Sequence, residues 1–188
     1  MYKDKPIKEY LDALASREPV PGGGSAAALV AATGIALLSK VANFTLGKEK
    51  YKDVEAQMKD MLKRADALRE TFLELCSEDA RAYKNLSRAF KMPKTDERAA
   101  KLQDALKEAM SVPLRICQGA HRAIKLCDPL AEKGNRNLLS DVDCGREMLI
   151  CAYKAALLNV EINLKSIKDA GLVDKTRKTL ETMKGDTG

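Results

Sequence analysis

The segment from Ser25 to Leu46 constrains this chain most. It is apolar on nearly every side and rich in alanine, with Ala26, Ala27, Ala28, Ala31, Ala32, Ala36 and Ala42 along it. Only Thr33, Ser39, Lys40, Asn43 and Thr45 interrupt it. Such a run folds as a thin helix that neighbouring helices approach closely, in a bundle or an oligomer interface. Its entrance is Pro19-Val20-Pro21-Gly22-Gly23-Gly24 and its exit is Gly47. Prolines stiffen the approach, glycines strip it of side chains, and Ser25 reads as the N-cap. A helix start leaves backbone N–H groups without partners and carries a partial positive charge. Gly22, Gly23, Gly24 and Ser25 are therefore candidates for holding an anionic or amide-rich ligand, with a plain tight turn as the alternative. The pattern is neither G-x-G-x-x-G after a strand nor a run ending in Gly-Lys-Ser/Thr.

Helical periodicity continues through the rest of the chain and no segment alternates as a strand does. A first helix is expected over about 7–16. A long one is expected over about 53–90, ended by Met92-Pro93. Thr95 caps the next, with Asp96 and Glu97 in its first turn. Pro113 lies inside that helix, where it should kink the axis and free a carbonyl. The stripe runs on to Cys127, and a polar loop follows at 132–137. Ser140, reaching Asp143, opens a helix continuing to about 167. Beyond Asp169 the chain turns polar, and a short or frayed helix is expected over about 170–188. The fold class read here is all-α: one domain over 1–188, a bundle of about five main helices with the small-residue apolar helix at its centre.

Composition excludes several function classes. Apolar residues make up 45% and charged residues 32%, which suits a folded, soluble domain. The longest uncharged apolar stretch, 26–39, falls short of the ~20 residues a membrane span needs. No basic-apolar-cleavage pattern opens the chain. Cys76, Cys117, Cys127, Cys144 and Cys151 form no C-x-x-C pair, so reduced thiols and a cytoplasmic setting are expected. His121 is the single histidine, which removes histidine-rich zinc sites and any Cys/His relay away from it, and its place beside an apolar stripe reads as packing. The net charge of +6 is spread along helices that alternate both signs, unlike the clustered, aromatic-interleaved surfaces of nucleic-acid binders. It suits a small anionic ligand. No metal or organic cofactor is implied.

Three polar features fall where the helical pattern is apolar. Asp79 lies on the stripe between Cys76 and Ala82, so it is either paired to a neighbouring helix or chemically employed. Asp141 sits in a first helical turn. Asn159, Asn163 and Ser166 share a face beside Leu149, Ala152 and Ala156, where amide side chains must find partners in protein or ligand.

Taken in order, Pro-Gly-Gly-Gly-Ser-Ala-Ala-Ala at 21–28, Val-Ala-Asn-Phe-Thr-Leu-Gly-Lys at 41–48, Glu-Asp-Ala-Arg-Ala-Tyr at 78–83, Met-Pro-Lys at 92–94, Glu-Lys-Gly-Asn at 132–135, Ser-Asp-Val at 140–142 and Leu-Asn-Val-Glu-Ile-Asn-Leu-Lys-Ser-Ile at 158–167 resemble the cyclodeaminase/cyclohydrolase family of folate one-carbon metabolism. The motifs cover nearly the whole chain. Family members often place small residues after Ser-Asp-Val, where this chain has Asp143 and Cys144. If Asp143 faces a pocket, it adds a second negative charge there. The resemblance implies an all-α homodimer with a folate, in polyglutamylated form, bound near the interface, and no nucleic-acid or membrane partner. It implies hydrolysis of 5,10-methenyltetrahydrofolate to 10-formyltetrahydrofolate. The alternatives are closure of 5-formiminotetrahydrofolate with release of ammonia, or a non-catalytic folate-binding homologue.

For that chemistry a carboxylate must stabilise an amidinium cation and take a proton from attacking water. Asp141 is the first candidate, because a first-turn carboxylate stays ionised. Asp79 is the second, because an apolar setting suits a proton carrier. The implied substrate contacts are the 22–25 backbone, Asn43, Asn135, Ser140, Asn159 and Asn163, with Lys48 or Lys165 for the anionic tail.

Overall fold

The computed structural model describes residues 2–186, and among these every regular element is helical. The α-helices are α1 (Ile7–Ala15), α2 (Gly23–Thr45), α3 (Glu55–Lys91), α4 (Asp96–Ile124), α5 (Cys127–Lys133), α6 (Leu139–Leu164) and α7 (Ala170–Glu181). Short 3-10 turns lie at Tyr2–Asp4, Glu49–Val54, Arg136–Leu138 and Lys184–Asp186. The expected five main helices are α1 to α4 and α6. The apolar stripe ending at Cys127 belongs to two helices, because the chain turns after Ile124 and restarts as α5. The tail is an ordered α7 that buries Thr176 and Leu180, so its first part is not frayed. Its final residues, 187–188, lie outside the described residues.

Four long helices form the bundle. α2 packs on α3 and α6, and α4 packs on the same two, so α2 and α4 sit at opposite corners of a square. Their shared core includes Ile35 and Leu38 of α2, Met58, Phe72 and Leu75 of α3, Ile116 of α4 and Leu149 of α6. α2 thus occupies a corner rather than the centre, and it keeps an outer stripe. Leu29, Val30, Ala36 and Leu37 are half-covered there, and Thr33, Lys40, Asn43 and Phe44 are exposed. At 23 residues α2 is long and apolar enough to cross a membrane, longer than the 26–39 stretch suggested. More than half of its most apolar window is covered by other helices, as in the core helix of a bundle.

α2 and α6 run antiparallel: Gly23 lies beside Asn159, Gly34 beside Gly145, and Lys40 beside Asp141. Their backbones touch at one crossing. A Cβ on Gly34 would lie 2.9 Å from the Gly145 carbonyl oxygen, and a Cβ on Gly145 would lie 2.9 Å from that of Gly34. Two glycines facing each other are the physical condition for this approach. α2 leaves the bundle through Gly47 at φ 71°. Buried Asn135 then ties the later loop to this end. Its N–H donates to Thr45 Oγ1 at 2.9 Å, and its Nδ2 donates to the Phe44 carbonyl at 3.0 Å.

Gly34→Val is expected to lower stability by about 1–3 kcal/mol, the usual cost of forcing a side chain into a filled space. Gly22→Ala, whose Cβ would meet nothing within 4 Å, is the control and should be close to neutral. Urea denaturation midpoints of the two variants check this.

Candidate active site

The glycine run shapes a helix start, but its cap is not the expected one. α2 begins at Gly23, with Gly22 as N-cap and no side-chain cap of its own. Ser25 instead lies wholly buried, its hydroxyl turned toward α1 and α3. The free N–H of Ser25 donates to Asp79 Oδ2 at 2.9 Å. A carboxylate from α3 thereby caps α2 from 54 positions away. The N-terminus that appeared ready for an exogenous anion has one of its first-turn donors committed to the protein's own. Gly24 makes room for it, since a Cβ there would lie 2.1 Å from Asp79 Oδ1. The preceding Val20–Pro21 peptide is cis.

Asp79 opens onto a cavity of about 300 Å³. One wall is Pro19, Val20 and the glycines 22–24; α3 adds Ala82, Tyr83 and Leu86, α4 adds Ala109, and α6 adds Asn159, Ile162 and Asn163. Two influences act on the Asp79 carboxyl. Burial among these mostly apolar groups raises its pKa above the ordinary aspartate value, and the Ser25 N–H, which favours the charged form, offsets part of the rise. Among the described residues no Lys, Arg or His is ion-paired to it, so the alternative of a salt bridge to a neighbouring helix does not apply.

Asn163 is held by the helix opposite and Asn159 by its own. Pro113 has no N–H, so the Ala109 carbonyl four residues back loses its helical donor. Asn163 Nδ2 supplies one at 3.2 Å, and also donates to the Asn159 carbonyl at 2.9 Å. Asn159 Nδ2 donates to the Ala155 carbonyl at 2.9 Å. The two amides are thus oriented on the cavity wall with acceptor capacity left over.

The remaining candidates lie elsewhere. Asp141 pairs with Lys40 at 2.9 Å, and neither lines this cavity. Ser140 is within α6, which starts at Leu139 without a side-chain cap, so Ser140 does not close on Asp143. Asn43 is exposed, Lys48 stands 6.0 Å from the Phe44 ring centre, and Asn135 is committed to the loop. This second cluster gathers at the far end of α2, about 25 Å from the glycines at 1.5 Å per residue. Lys165 is exposed just beyond α6 and lines no part of the cavity. Asp143 and Cys144 are both exposed. Reading the sequence missed Tyr83, Leu86 and Ile162 on the cavity wall, and Tyr10 of α1 behind it, whose hydroxyl lies 3.1 Å from Ser25 Oγ. Tyr83, one turn after Asp79, had a local signal; the others are placed only by packing. Among the described residues no group of three or more His, Cys, Asp or Glu comes together as a metal-binding set.

The same architecture occurs in a solved structure. A crystal structure of formiminotetrahydrofolate cyclodeaminase from Thermotoga maritima superposes with a TM-score of 0.93 at 32% identity, covering 100% of this chain and 92% of that one. Methenyltetrahydrofolate cyclohydrolase of Methylorubrum extorquens is 40% identical over 100% of this chain and 93% of its own length. Formimidoyltransferase-cyclodeaminase of Rattus norvegicus is 31% identical over 96% of this chain, which spans only 34% of that longer protein. The family described as formiminotransferase-cyclodeaminase matches residues 6–182, and the chain belongs to it.

Proposed function

We propose that this protein hydrolyses 5,10-methenyltetrahydrofolate to 10-formyltetrahydrofolate, with Asp79 as the carboxylate at the reacting carbon. The observation that carries the reading is a carboxylate without a cationic partner, set in a small cavity lined mainly by apolar groups. The substrate's amidinium supplies the missing positive charge. Water adds to the methenyl carbon and Asp79 takes its first proton, which passes to the ring nitrogen as the C–N bond opens. The remaining hydroxyl proton returns to Asp79 as the formyl C=O forms and leaves to solvent, the one proton that hydrolysis of the cation releases. A carboxyl with a raised pKa suits both halves of that exchange. Asn159 and Asn163 offer acceptors to the donor-rich edge of a pterin. The chemistry needs no metal. The 40% identity to a methenyltetrahydrofolate cyclohydrolase along the whole chain supports this substrate. The second reading, cyclisation of 5-formiminotetrahydrofolate with ammonia release, draws on the likeness to the Thermotoga maritima cyclodeaminase.

The far cluster enters through a second copy. Lys40 and Asp141 lie too far from the glycines to meet one small ligand within a single chain. A two-fold axis crossing the outer stripe of α2 near residues 31–32 would set α2 antiparallel to its counterpart. The partner's Lys40 and the partner's Asp141 would then stand across the cavity mouth, since 23 and 40 are equidistant from that crossing. A homodimer of this kind also covers Leu29, Val30 and Leu37.

Purified protein should accelerate loss of methenyltetrahydrofolate absorbance, and dialysis against a chelator should leave the rate unchanged. Ammonia release from formiminotetrahydrofolate without methenyl hydrolysis would select the second reading. Asp79→Asn should lower kcat by about 10²-fold or more.

Its stability should move the other way. With the folded pKa of Asp79 raised, the stability it contributes is full while it is protonated and is lost as pH rises through that folded value. Asp79→Asn should therefore have a higher Tm than the parent at neutral pH, the gap closing in acid. A lower Tm at neutral pH would mean that Ser25 outweighs burial.

Asp141→Asn should also be inactive, and mixing the two inactive variants through unfolding and reassembly should restore roughly a quarter of the parental activity, from one intact site in each mixed dimer. No recovery on mixing would place each site within a single chain.

A further inference from the structure

We infer that Tyr10, Ser25 and Cys76 are positioning residues that together aim the Ser25 N–H at the Asp79 carboxylate. The inference rests on the role proposed for Asp79 above, and concerns three groups that touch no part of the cavity.

Three helices meet at one hydroxyl. Ser25 Oγ of α2 donates to the Cys76 carbonyl of α3 at 2.9 Å. Its single proton is thereby spent, so its other two polar neighbours must donate to it. These are the Tyr10 hydroxyl of α1 at 3.1 Å and the Cys76 thiol at 3.0 Å. The hydroxyl then has one donor and two acceptor bonds, which is its full capacity, and Ser25, Tyr10 and Cys76 are all buried. Of the residues of α1, Tyr10 alone is buried, with Leu14 half-covered against the core. Tyr10 is itself held from the other side by the Tyr2 ring, edge-on at 5.7 Å.

The backbone N–H of the same Ser25 donates to Asp79 Oδ2 at 2.9 Å, the bond by which that carboxylate caps α2. A residue whose side chain is fixed at three points has little freedom to tilt its N–H. Both lateral donors stay protonated: burial pushes the Tyr10 hydroxyl up to about 12 and raises the Cys76 thiol. The knot is thus neutral through the physiological range and adds no charge that would disfavour an ionised Asp79. The other groups around Asp79 carry no charge either. α3 presents Tyr83, α4 presents Ala109, α6 presents Asn159 and Asn163, and the entry loop presents Pro19, Val20 and glycines. The carboxylate's acidity therefore depends on burial against a single aimed N–H.

Tyr10→Phe keeps the ring and removes one donor. Cys76→Ala removes the other, and Cys76→Ser restores a donor in its place. The Asp79 carboxyl is followed by ¹³C NMR titration of aspartate-labelled protein, assigned by the signal missing from Asp79→Asn. A loosened Ser25 N–H stabilises the carboxylate less, so Tyr10→Phe and Cys76→Ala should shift the Asp79 titration upward by about half a unit to one. Cys76→Ser should return it to the parental midpoint. The acid limb of kcat against pH should move by the same amount, with KM nearly constant. An unmoved Asp79 titration in folded Tyr10→Phe and Cys76→Ala proteins overturns the inference. A titration that moves while the rate profile does not upholds the positioning and removes Asp79 from the proposed mechanism.

Discussion

The hydrogen bond from the Ser25 N–H to Asp79 organises the molecule around its cavity. It fixes α2 against α3 at the end where the glycine run enters, and it sets a carboxylate in an apolar hollow without a cation beside it. Burial alone would leave this group protonated and inert. An adjacent lysine would leave it ionised and a weak base. One backbone donor at a helix N-terminus is an intermediate condition. The bond also explains why residue 24 is glycine, because any Cβ there would occupy the position of Oδ1.

The helices were legible because their stripes repeat at 3.6 residues, a local property. α2 was legible from its alanine-rich run, apolar nearly all round, and the breaks at Met92-Pro93 and Gly47 from the local chemistry of proline and glycine. The departures have specific causes. Ser25 looks like a cap by its place after three glycines, yet a hydroxyl three residues into a helix faces the interior when α1 and α3 present partners there. The true cap comes from a residue whose distance in sequence conceals it. α5 was hidden because the two linking residues, Lys125 and Leu126, keep right-handed helical backbone angles, and an apolar stripe carries no mark where one helix stops and another resumes.

The candidate site was legible in part for the same physical reason. Asp79 and the two asparagines stood out as polar groups on apolar faces, and such groups are placed where something must satisfy them. Asp141 stood out by its first-turn position, a weaker signal that fixes charge but not neighbourhood. In the fold its neighbour is Lys40, one end of α2 away from the glycines. Tyr10 gave no signal at all, since a lone tyrosine on a short helix is as well explained by packing as by the hydroxyl it carries.

Pro113 shows how far a single residue can act across this bundle. A proline inside a helix costs a hydrogen bond and leaves a carbonyl exposed. Here that carbonyl belongs to Ala109, on the cavity wall, and the donor it receives is Asn163 from the facing helix. The defect in α4 therefore orients a side chain of α6, which in turn bonds the Asn159 carbonyl one turn earlier. With its amide hydrogens engaged by α4 and α6, Asn163 keeps its side-chain oxygen as an acceptor, and in the function proposed above that acceptor would meet a donor-bearing edge of the substrate. An alanine at 113 would reclaim the Ala109 carbonyl for its own helix and release that amide to turn. The apparent flaw in the helix is the feature that gives the opposite wall its polarity.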